Sequence, residues 1–229
     1  MQAAVIVFPG SNCDRDVAVA LGASMGRPPL MVWHGDSALP AVDLIVIPGG
    51  FAYGDYLRAG AIAAHSPVMR EVVARARAGA PLLAICNGFQ VAAESGLLPG
   101  ALLPNAGLKF VCRDVYIRTE SSGGIFTGHY QRGQVIRLPV AHHAGNYHID
   151  DDGLKALEDN GQVAFRYCTP GGEPGDGANP NGSRDDIAGV YNEAGTVLGL
   201  MPHPERLADP RLGGDDGKAM FDSLVAALG

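Results

Sequence analysis

Residues Leu82–Gln90 read LLAICNGFQ, and this stretch decides the fold that the rest of the sequence must satisfy. Its apolar run predicts a buried strand that ends at Cys86. Gly88 permits a tight turn into a helix, so a cysteine stands between a strand and a helix with small residues, Ala84 and Gly88, on either side. This is the pattern of a nucleophile elbow, which exposes a reactive side chain above the edge of a parallel sheet. The alternative is that Cys86 is a small buried hydrophobic residue, which is a common fate of cysteine.

Apolar strands and helical segments alternate on the amino-terminal side of this stretch. Such alternation is typical of a parallel sheet that is covered by helices on both faces. The sequence therefore predicts an α/β fold with a mostly parallel central sheet flanked by helices. The predicted strands are Val5–Phe8, Leu30–Trp33 and Leu44–Ile47, and the predicted helices are Val68–Ala78, Gly88–Ser95 and one that Ser11 or Asn12 would cap.

Beyond Pro104 the pattern changes. Phe110–Ile117 and Val135–Val140 alternate between apolar and polar residues, which predicts an additional antiparallel portion. Val163–Tyr167 and Ile187–Tyr191 are further predicted strands. Between them, residues 169–186 are dense in Gly, Pro and Asn and predict a surface loop, either functional or merely a tolerated insertion.

The last elements are an apolar strand at Val197–Met201 and an amphipathic helix at Gly217–Leu228, for which Asp215 and Asp216 are candidate caps. With 229 residues, of which 47% are hydrophobic and 18% charged, the composition is globular. We predict a single domain over residues 1–229.

Composition and charge also exclude several functional classes. A formal net charge of -7 argues against nucleic-acid binding. No apolar run approaches the length of a membrane span, and the first residues lack the basic region of a signal peptide. The four cysteines are scattered singly, which predicts reduced thiols in a cytoplasmic protein and no metal site; they are Cys13, Cys86, Cys112 and Cys168.

A cysteine nucleophile needs a base, and the base needs a group that orients it. Among seven histidines, His203 stands out because a predicted strand delivers Pro202-His203-Pro204-Glu205 to its carboxyl end. Residues two apart in an extended segment share a face, so Glu205 can lie beside His203 and stabilise its imidazolium form. Without the elbow, this tetrapeptide would read equally well as a solvated surface turn.

Two further segments offer backbone N–H groups. The N–H of Asn87, at the start of the helix after Cys86, would point at a carbonyl oxygen under attack. Gly50 follows the strand Leu44–Ile47 in a double glycine and could supply a second donor, although such a turn can also simply reverse the chain. No phosphate-loop pattern occurs, so the chain has no recognisable ATP site.

Taken together, these segments resemble the glutaminase domains of triad-type (class I) glutamine amidotransferases, which have a flavodoxin-like fold. The chain is similar over essentially its whole length to the glutaminase subunits of phosphoribosylformylglycinamidine synthases of purine biosynthesis. Gly-Ser-Asn-Cys-Asp and Gly-Gly-Phe-Ala-Tyr-Gly-Asp-Tyr-Leu-Arg distinguish these subunits from other amidotransferases. The resemblance is carried by Ala4–Asp14, Pro48–Gly60, Cys86–Gln90, Asn179–Ser183 and Met201–Arg206.

The resemblance implies an enzyme of the carbon–nitrogen ligase type with glutamine as amido donor. Cys86 would attack the amide carbon of glutamine, His203 would protonate the leaving ammonia, and Glu205 would hold His203. Water would then hydrolyse the γ-glutamyl thioester.

The same resemblance implies that the backbone at Gly50 and Asn87 forms the oxyanion hole and that Gln90 helps to seat glutamine. Ammonia would pass to a large synthetase subunit that converts formylglycinamide ribonucleotide into its amidine, with a small third subunit bridging the two. ATP and magnesium are expected on that partner, and no cofactor is expected on this chain.

This sequence departs from the family pattern at one place. Family members commonly show Ala-His-Gly-Glu-Gly-Asn where residues 141–146 read Ala-His-His-Ala-Gly-Asn, so His143 and Ala144 replace a glycine and an acid. His142 could contact glutamine or brace the partner interface. Two alternative functions stay open: a free-standing cysteine γ-glutamyl hydrolase, and a non-catalytic binding domain of the same fold.

Overall fold

The computed structural model describes all 229 residues. Its secondary structure alternates strands and helices up to α3 and is dominated by strands afterwards. The strands are β1 (Ala3–Val7), β2 (Leu30–Trp33), β3 (Leu44–Ile47), β4 (Leu82–Ile85), β5 (Ala101–Leu103), β6 (Val111–Thr119), β7 (Val135–His142), β8 (Asn146–His148), β9 (Val163–Cys168), β10 (Ile187–Tyr191) and β11 (Val197–Leu200). The helices are α1 (Asp14–Met25), α2 (Pro67–Arg77), α3 (Asn87–Glu94), α4 (Asp151–Asp159) and α5 (Lys218–Leu228).

Nine strands form one sheet in the order β2-β1-β3-β4-β11-β10-β9-β6-β7. The first five strands of this order pair in parallel, and the remaining pairs, from β11–β10 to β6–β7, are antiparallel. A separate antiparallel pair joins β5 and β8. The predicted mostly parallel sheet with an additional antiparallel portion is therefore confirmed.

The core lies on both faces of the parallel strands, because β3, β4 and β11 are buried along their whole length. Two glycines allow α3 to lie directly against these strands. A Cβ on Gly88 would be 2.0 Å from the Ile47 carbonyl oxygen, and a Cβ on Gly199 would be 2.3 Å from Cδ2 of Phe89. The close packing of α3 holds the first turn of the helix, and with it Cys86, at the edge of the sheet.

Three details differ from the sequence predictions. Neither predicted cap of α1 forms a cap hydrogen bond, since Cys13 is the residue that precedes the helix and Ser11 instead donates to the carbonyl of Gly49. The caps predicted for α5 are also wrong, because Asp216 accepts from the backbone N–H of Arg137. The sequence reading also missed β5, β8 and α4, of which α4 buries a single side chain.

Residues 169–186 form an irregular connection between β9 and β10, as predicted, apart from a short 3-10 turn at Arg184–Asp186. No helix combines the length and the apolar character that crossing a membrane would need. The extent of the single domain over residues 1–229 stays a prediction.

Candidate active site

Cys86 lies between β4 and α3 in a backbone conformation that few residues other than glycine adopt, with φ 50° and ψ -105°. Residues held in such conformations are typical of functional sites, where the surrounding structure supports the strain. The residue is 5% exposed, and its Sγ lies 3.9 Å from the carbonyl oxygen of Ala141. The predicted elbow is therefore present, and it aims the thiol across the carboxyl edge of the sheet.

His203 and Glu205 follow β11, and both side chains are almost completely buried. His203 Nδ1 lies 2.6 Å from Glu205 Oε1, while the backbone N–H of His203 donates to the carbonyl of Pro139. Burial alone would lower the pKa of His203, but the charges of Glu205 and Cys86 raise it well above its ordinary value. The Nε2 of His203 has no hydrogen-bond partner within the chain.

A small cavity joins these elements. Cys86 and His203 both line it, together with Gly50, Asn87 and Gln90, so all the residues predicted for the site except Glu205 meet there. Its volume of about 30 Å³ suits a single water molecule. Pockets that hold drug-sized ligands are roughly 300 Å³ or larger, so this cavity must widen before it can hold glutamine.

The double glycine after β3 packs against the triad. A Cβ on Gly49 would be 2.7 Å from Cε1 of His203, and a Cβ on Gly50 would be 2.4 Å from the backbone nitrogen of Asn12. Gly50 also has φ +112°, and its N–H donates to no group of the chain. The N–H of Asn87 lies in the first turn of α3, where helical N–H groups have no intrahelical acceptor. Both predicted oxyanion donors are thus beside the cavity.

Asn87 and Gln90 connect α3 to the loops around it. The Asn87 side-chain amide accepts from the N–H of Ala52 at 3.0 Å and donates to Gln90 Oε1 at 2.8 Å. Gln90 Nε2 in turn donates to the carbonyl of Ala144 at 2.5 Å. This chain of hydrogen bonds fixes the wall of the cavity on the side away from His203.

Sequence reasoning missed Cys13, a second buried thiol beside the imidazole. Arg206 Nη2 donates to Cys13 Sγ at 3.1 Å, and burial raises the pKa of the Cys13 thiol, partly offset by His203. Cys13, His203 and Glu205 have donor atoms within 4.8 Å of one another and are the one group with metal-ligand chemistry. Glu205 is bonded to Nδ1 of His203, so Nε2 is the ring nitrogen left free for proton transfer, as in an oriented catalytic imidazole.

The turn between β7 and β8 lies over the cavity. His142, the last residue of β7, is buried beside this turn. Nε2 of His142 lies 3.0 Å from Nδ2 of Asn181. Burial, assisted by the nearby His203, lowers the pKa of His142 to about 4, so this imidazole is neutral near pH 7. Nδ2 of Asn181 also donates to the hydroxyl of Tyr167, so the residue that contacts His142 is itself anchored, which gives His142 a structural position in the wall.

The largest surface groove lies elsewhere. It has a volume of about 770 Å³ and runs between α1 and β2, lined by residues such as Arg15, Val19 and Met31. It contains no cysteine or histidine. The chemistry-bearing residues are therefore concentrated in the small cavity and not in the larger groove.

Comparison with known proteins agrees with this geometry. A CobB/CobQ-like glutamine amidotransferase domain matches residues 1–212. The phosphoribosylformylglycinamidine synthase subunit PurQ of Rhodospirillum rubrum is 54% identical over 229 residues, which cover 100% of each chain. The subunit of the same name from Chlorobaculum tepidum is 52% identical over 98% of this chain and 96% of its own. Among solved structures, a chain in the structure of PurLQS from Thermotoga maritima is 43% identical with a TM-score of 0.87, covering 100% of this chain and 99% of that one.

Proposed function

This chain belongs to the CobB/CobQ-like glutamine amidotransferase family, and we propose that it is the glutaminase subunit of a phosphoribosylformylglycinamidine synthase. It has the class I glutamine amidotransferase fold that its sequence predicts. Relatives that carry the name of this subunit match the chain from end to end. The enzyme releases ammonia from glutamine for a synthetase that makes an amidine in purine biosynthesis.

The observation that carries the catalytic part of the proposal is the meeting of Cys86 and His203 at one cavity, with Nε2 of His203 unpartnered. The Cys86 thiolate attacks the amide carbon of glutamine and forms a tetrahedral intermediate. The N–H groups of Gly50 and Asn87 stabilise its oxyanion. The imidazolium of His203 gives its proton to the departing ammonia as the carbon–nitrogen bond breaks, and a γ-glutamyl thioester remains on the sulfur.

In hydrolysis of the thioester, His203 changes from proton donor to proton acceptor. Neutral His203 takes a proton from water, the resulting hydroxide adds to the thioester carbon, and the carbon–sulfur bond breaks to give glutamate and the Cys86 thiolate. Glu205 stays ionised throughout, fixes the tautomer of His203 through Nδ1 and stabilises the imidazolium. The buried position of the His203–Glu205 pair supports this role, because an ion pair shielded from water is weakly screened.

The partners follow from the relatives. The similar Thermotoga maritima chain belongs to a structure of PurLQS, and we propose a corresponding complex of this chain with a large synthetase subunit and a small third subunit. ATP and magnesium would bind to the synthetase. The cytoplasm is the proposed compartment, which is supported by four cysteines that form no disulfide.

The narrow cavity supports regulation by the partners. The cavity at Cys86 is narrow, at about 30 Å³, and the chain has no recognisable ATP site, so the isolated chain would be a weak glutaminase. Binding of the synthetase and its substrates would shift the population toward a wider, competent site. A free-standing hydrolase would be equally active with and without partners, and a non-catalytic binding domain would be inactive in both states.

The test uses the reconstituted complex and compares Cys86→Ser with Cys112→Ser, in which an exposed thiol is replaced. We expect Cys86→Ser to reduce glutamine-dependent amidine synthesis by a factor on the order of 10⁴ or more. Synthesis from added ammonium salts should remain, because the synthetase is unaltered. Cys112→Ser should resemble the wild type in both assays.

Two of the following results would contradict the proposal, and the second in order would disqualify the variant instead. Glutamine hydrolysis that survives Cys86→Ser would remove Cys86 as nucleophile. Loss of ammonium-dependent synthesis in the same variant would mean that assembly had been damaged. Glutamine hydrolysis that is equal with and without the synthetase would favour the free-standing hydrolase.

A further inference from the structure

Asp55 is a carboxylate at the catalytic cavity to which the mechanism above gives no role. It lines the same cavity as Cys86, Asn87 and Gln90 and is half-buried. Its Oδ1 accepts a hydrogen bond of 3.1 Å from Nδ2 of Asn87, the residue that directly follows the nucleophile. The carboxylate is therefore tied to the elbow itself.

No cation of the chain neutralises Asp55. The two arginines that lie nearest in the sequence or in the cavity are engaged elsewhere, since Arg58 pairs with Glu94 and Arg206 pairs with Asp16. Burial raises the pKa of Asp55, an effect that the hydrogen bond from Asn87 and the nearby His143 partly offset. Burial of a carboxylate that has a single amide donor is unfavourable, so a cationic group of a ligand beside Asp55 would be stabilising.

The backbone of the loop is held in a strained conformation that presents Asp55 to the cavity. Tyr53, Asp55 and Leu57 all have positive φ, at 55°, 54° and 68°. The Tyr53 hydroxyl, which lies 2.6 Å from Nδ1 of His34 and 3.0 Å from Oγ of Ser66, anchors the loop from behind. Strain of this kind persists only where the surroundings enforce it and is concentrated at sites that bind ligands.

Glutamine carries the complementary charge. When its side-chain amide carbon lies at Cys86, its α-carbon is separated from the sulfur by the side-chain methylenes, so the α-ammonium group contacts another part of the cavity wall. Asp55 is the one carboxylate among the residues that line the cavity. An ammonium–carboxylate pair would supply the missing countercharge and a charge-assisted hydrogen bond.

We propose that Asp55 binds the α-ammonium group of glutamine and thereby selects an α-amino acid amide over other primary amides. The assignment rests on the proposed glutaminase function. It concerns the α-amino end of glutamine, which the triad does not recognise. Asp55 is a specificity-determining residue in this scheme, and it takes no part in proton transfer.

The test measures Asp55→Asn in the full complex, with glutamine and with 4-carbamoylbutanoate, which is glutamine without its α-amino group. Asparagine tolerates positive φ and can still accept the hydrogen bond from Asn87, so the variant removes the charge and keeps the geometry. For the wild type, we expect kcat/KM to favour glutamine by roughly tenfold to a hundredfold. In Asp55→Asn this preference should fall to about twofold or less, mainly through a higher KM for glutamine.

Asp176→Asn is the matched control, since Asp176 is exposed and outside the catalytic cavity. It should keep the wild-type preference. An Asp55→Asn complex that keeps the preference for glutamine would overturn the assignment, and so would an equal fall in kcat for both amides, which indicates a structural role. The proposed function fails on a different observation, namely glutamine hydrolysis that survives Cys86→Ser.

Discussion

The parallel and antiparallel halves of the central sheet contribute to the site in different ways. The parallel half supplies side chains, because Cys86 follows β4 while His203 and Glu205 follow β11. The antiparallel half supplies the end of β7 and the turn after it, residues 141–145, whose Ala141 and Ala144 carbonyl groups contact Cys86 and Gln90 at the cavity. The parallel half therefore determines the chemistry of the site through the identity of its residues. The antiparallel half determines the shape of the cavity through the position of its backbone.

Every carbonyl group of this turn has a contact. The Ala141 carbonyl lies 3.9 Å from Cys86 Sγ, and the Ala144 carbonyl accepts from Gln90. The remaining three carbonyls are held by neighbouring segments: Asn105 Nδ2 donates to His142, the Asn105 backbone N–H donates to His143, and Ser183 Oγ donates to Gly145.

This difference explains a departure from the family pattern. His143 and Ala144 stand where family members commonly have glycine and glutamate, and the His203–Glu205 pair nevertheless forms, with His203 and Cys86 at one cavity. A carbonyl group is the same in every residue, so the wall can form with either sequence. The comparison predicts severe effects from side-chain changes in the parallel half and graded effects in the antiparallel half.

After replacement of the nucleophile itself, the largest effect is expected from Glu205→Gln, which keeps the size of the side chain and removes its charge. Without the carboxylate, the imidazolium form of His203 loses stabilisation, and kcat/KM for glutamine should fall by a factor on the order of 10³ to 10⁴. Because Glu205 raises the pKa of His203, its removal lowers that pKa, so the alkaline limb of the pH profile should move to lower pH. Steady-state kinetics of the complex across pH measure both effects.

Glu193→Gln is the control for that experiment, since Glu193 is exposed in the turn before β11. It should leave the pH profile unchanged. If Glu205→Gln kept wild-type kcat/KM, the parallel half would contribute geometry rather than charge, and the comparison would lose its basis.

An intermediate effect is expected from Asn105→Ala, which removes the side-chain hydrogen bonds that hold the turn after β7. The buried Asn105 side chain donates to the carbonyls of His142 and Lys109 and accepts from the N–H of Gly145. Each buried group left without a partner costs about 1–3 kcal/mol, so the free energy of unfolding should fall by roughly 2–4 kcal/mol. We expect KM for glutamine to rise several-fold in activity assays, while kcat changes little.

Asn160→Ala, at an exposed helix end, is the matched control and should alter neither quantity by more than about 0.5 kcal/mol or its kinetic equivalent. A large loss of kcat in Asn105→Ala with an unchanged KM would indicate that the turn acts on the chemical step instead of on substrate binding.

The same comparison shows what sequence reasoning could reach. The strands and the elbow at Cys86 depend on local apolar runs and on one glycine, and Glu205 stands two positions from its partner His203, so spacing was sufficient. Sequence reasoning did not identify Asn105 and Asp55, because their hydrogen-bond partners are distant in sequence. Asn105 contacts residues that tertiary structure brings to it from β7, and Asp55 reaches Asn87 through a loop with unusual φ angles.

Sequence reasoning missed the shortest elements of the fold for a related reason. Helix α4 has only 9 residues and buries only Leu157, and β8 is a three-residue strand whose pairing with β5 no local period reveals. The predicted caps failed because Ser11 and Asp216 find partners in other parts of the chain, namely Gly49 and Arg137. Local propensity cannot anticipate such competition from tertiary contacts.

The smallest effect is expected from Ala144→Glu, which restores the acid that family members commonly carry. The Ala144 side chain is partly exposed, and its contact with Gln90 is made by the carbonyl group, so kcat/KM for glutamine should stay within about twofold of the wild type. Gly145→Ala is the informative contrast at the next position. A Cβ there would lie 2.2 Å from Nε2 of His142 and 2.9 Å from Nδ2 of Asn181, so the buried side chains or the turn must shift, and activity should fall far more. If Ala144→Glu changed kcat/KM by more than about tenfold while Gly145→Ala did not, the turn would act through side-chain identity, and the two halves of the sheet would not differ in the way proposed.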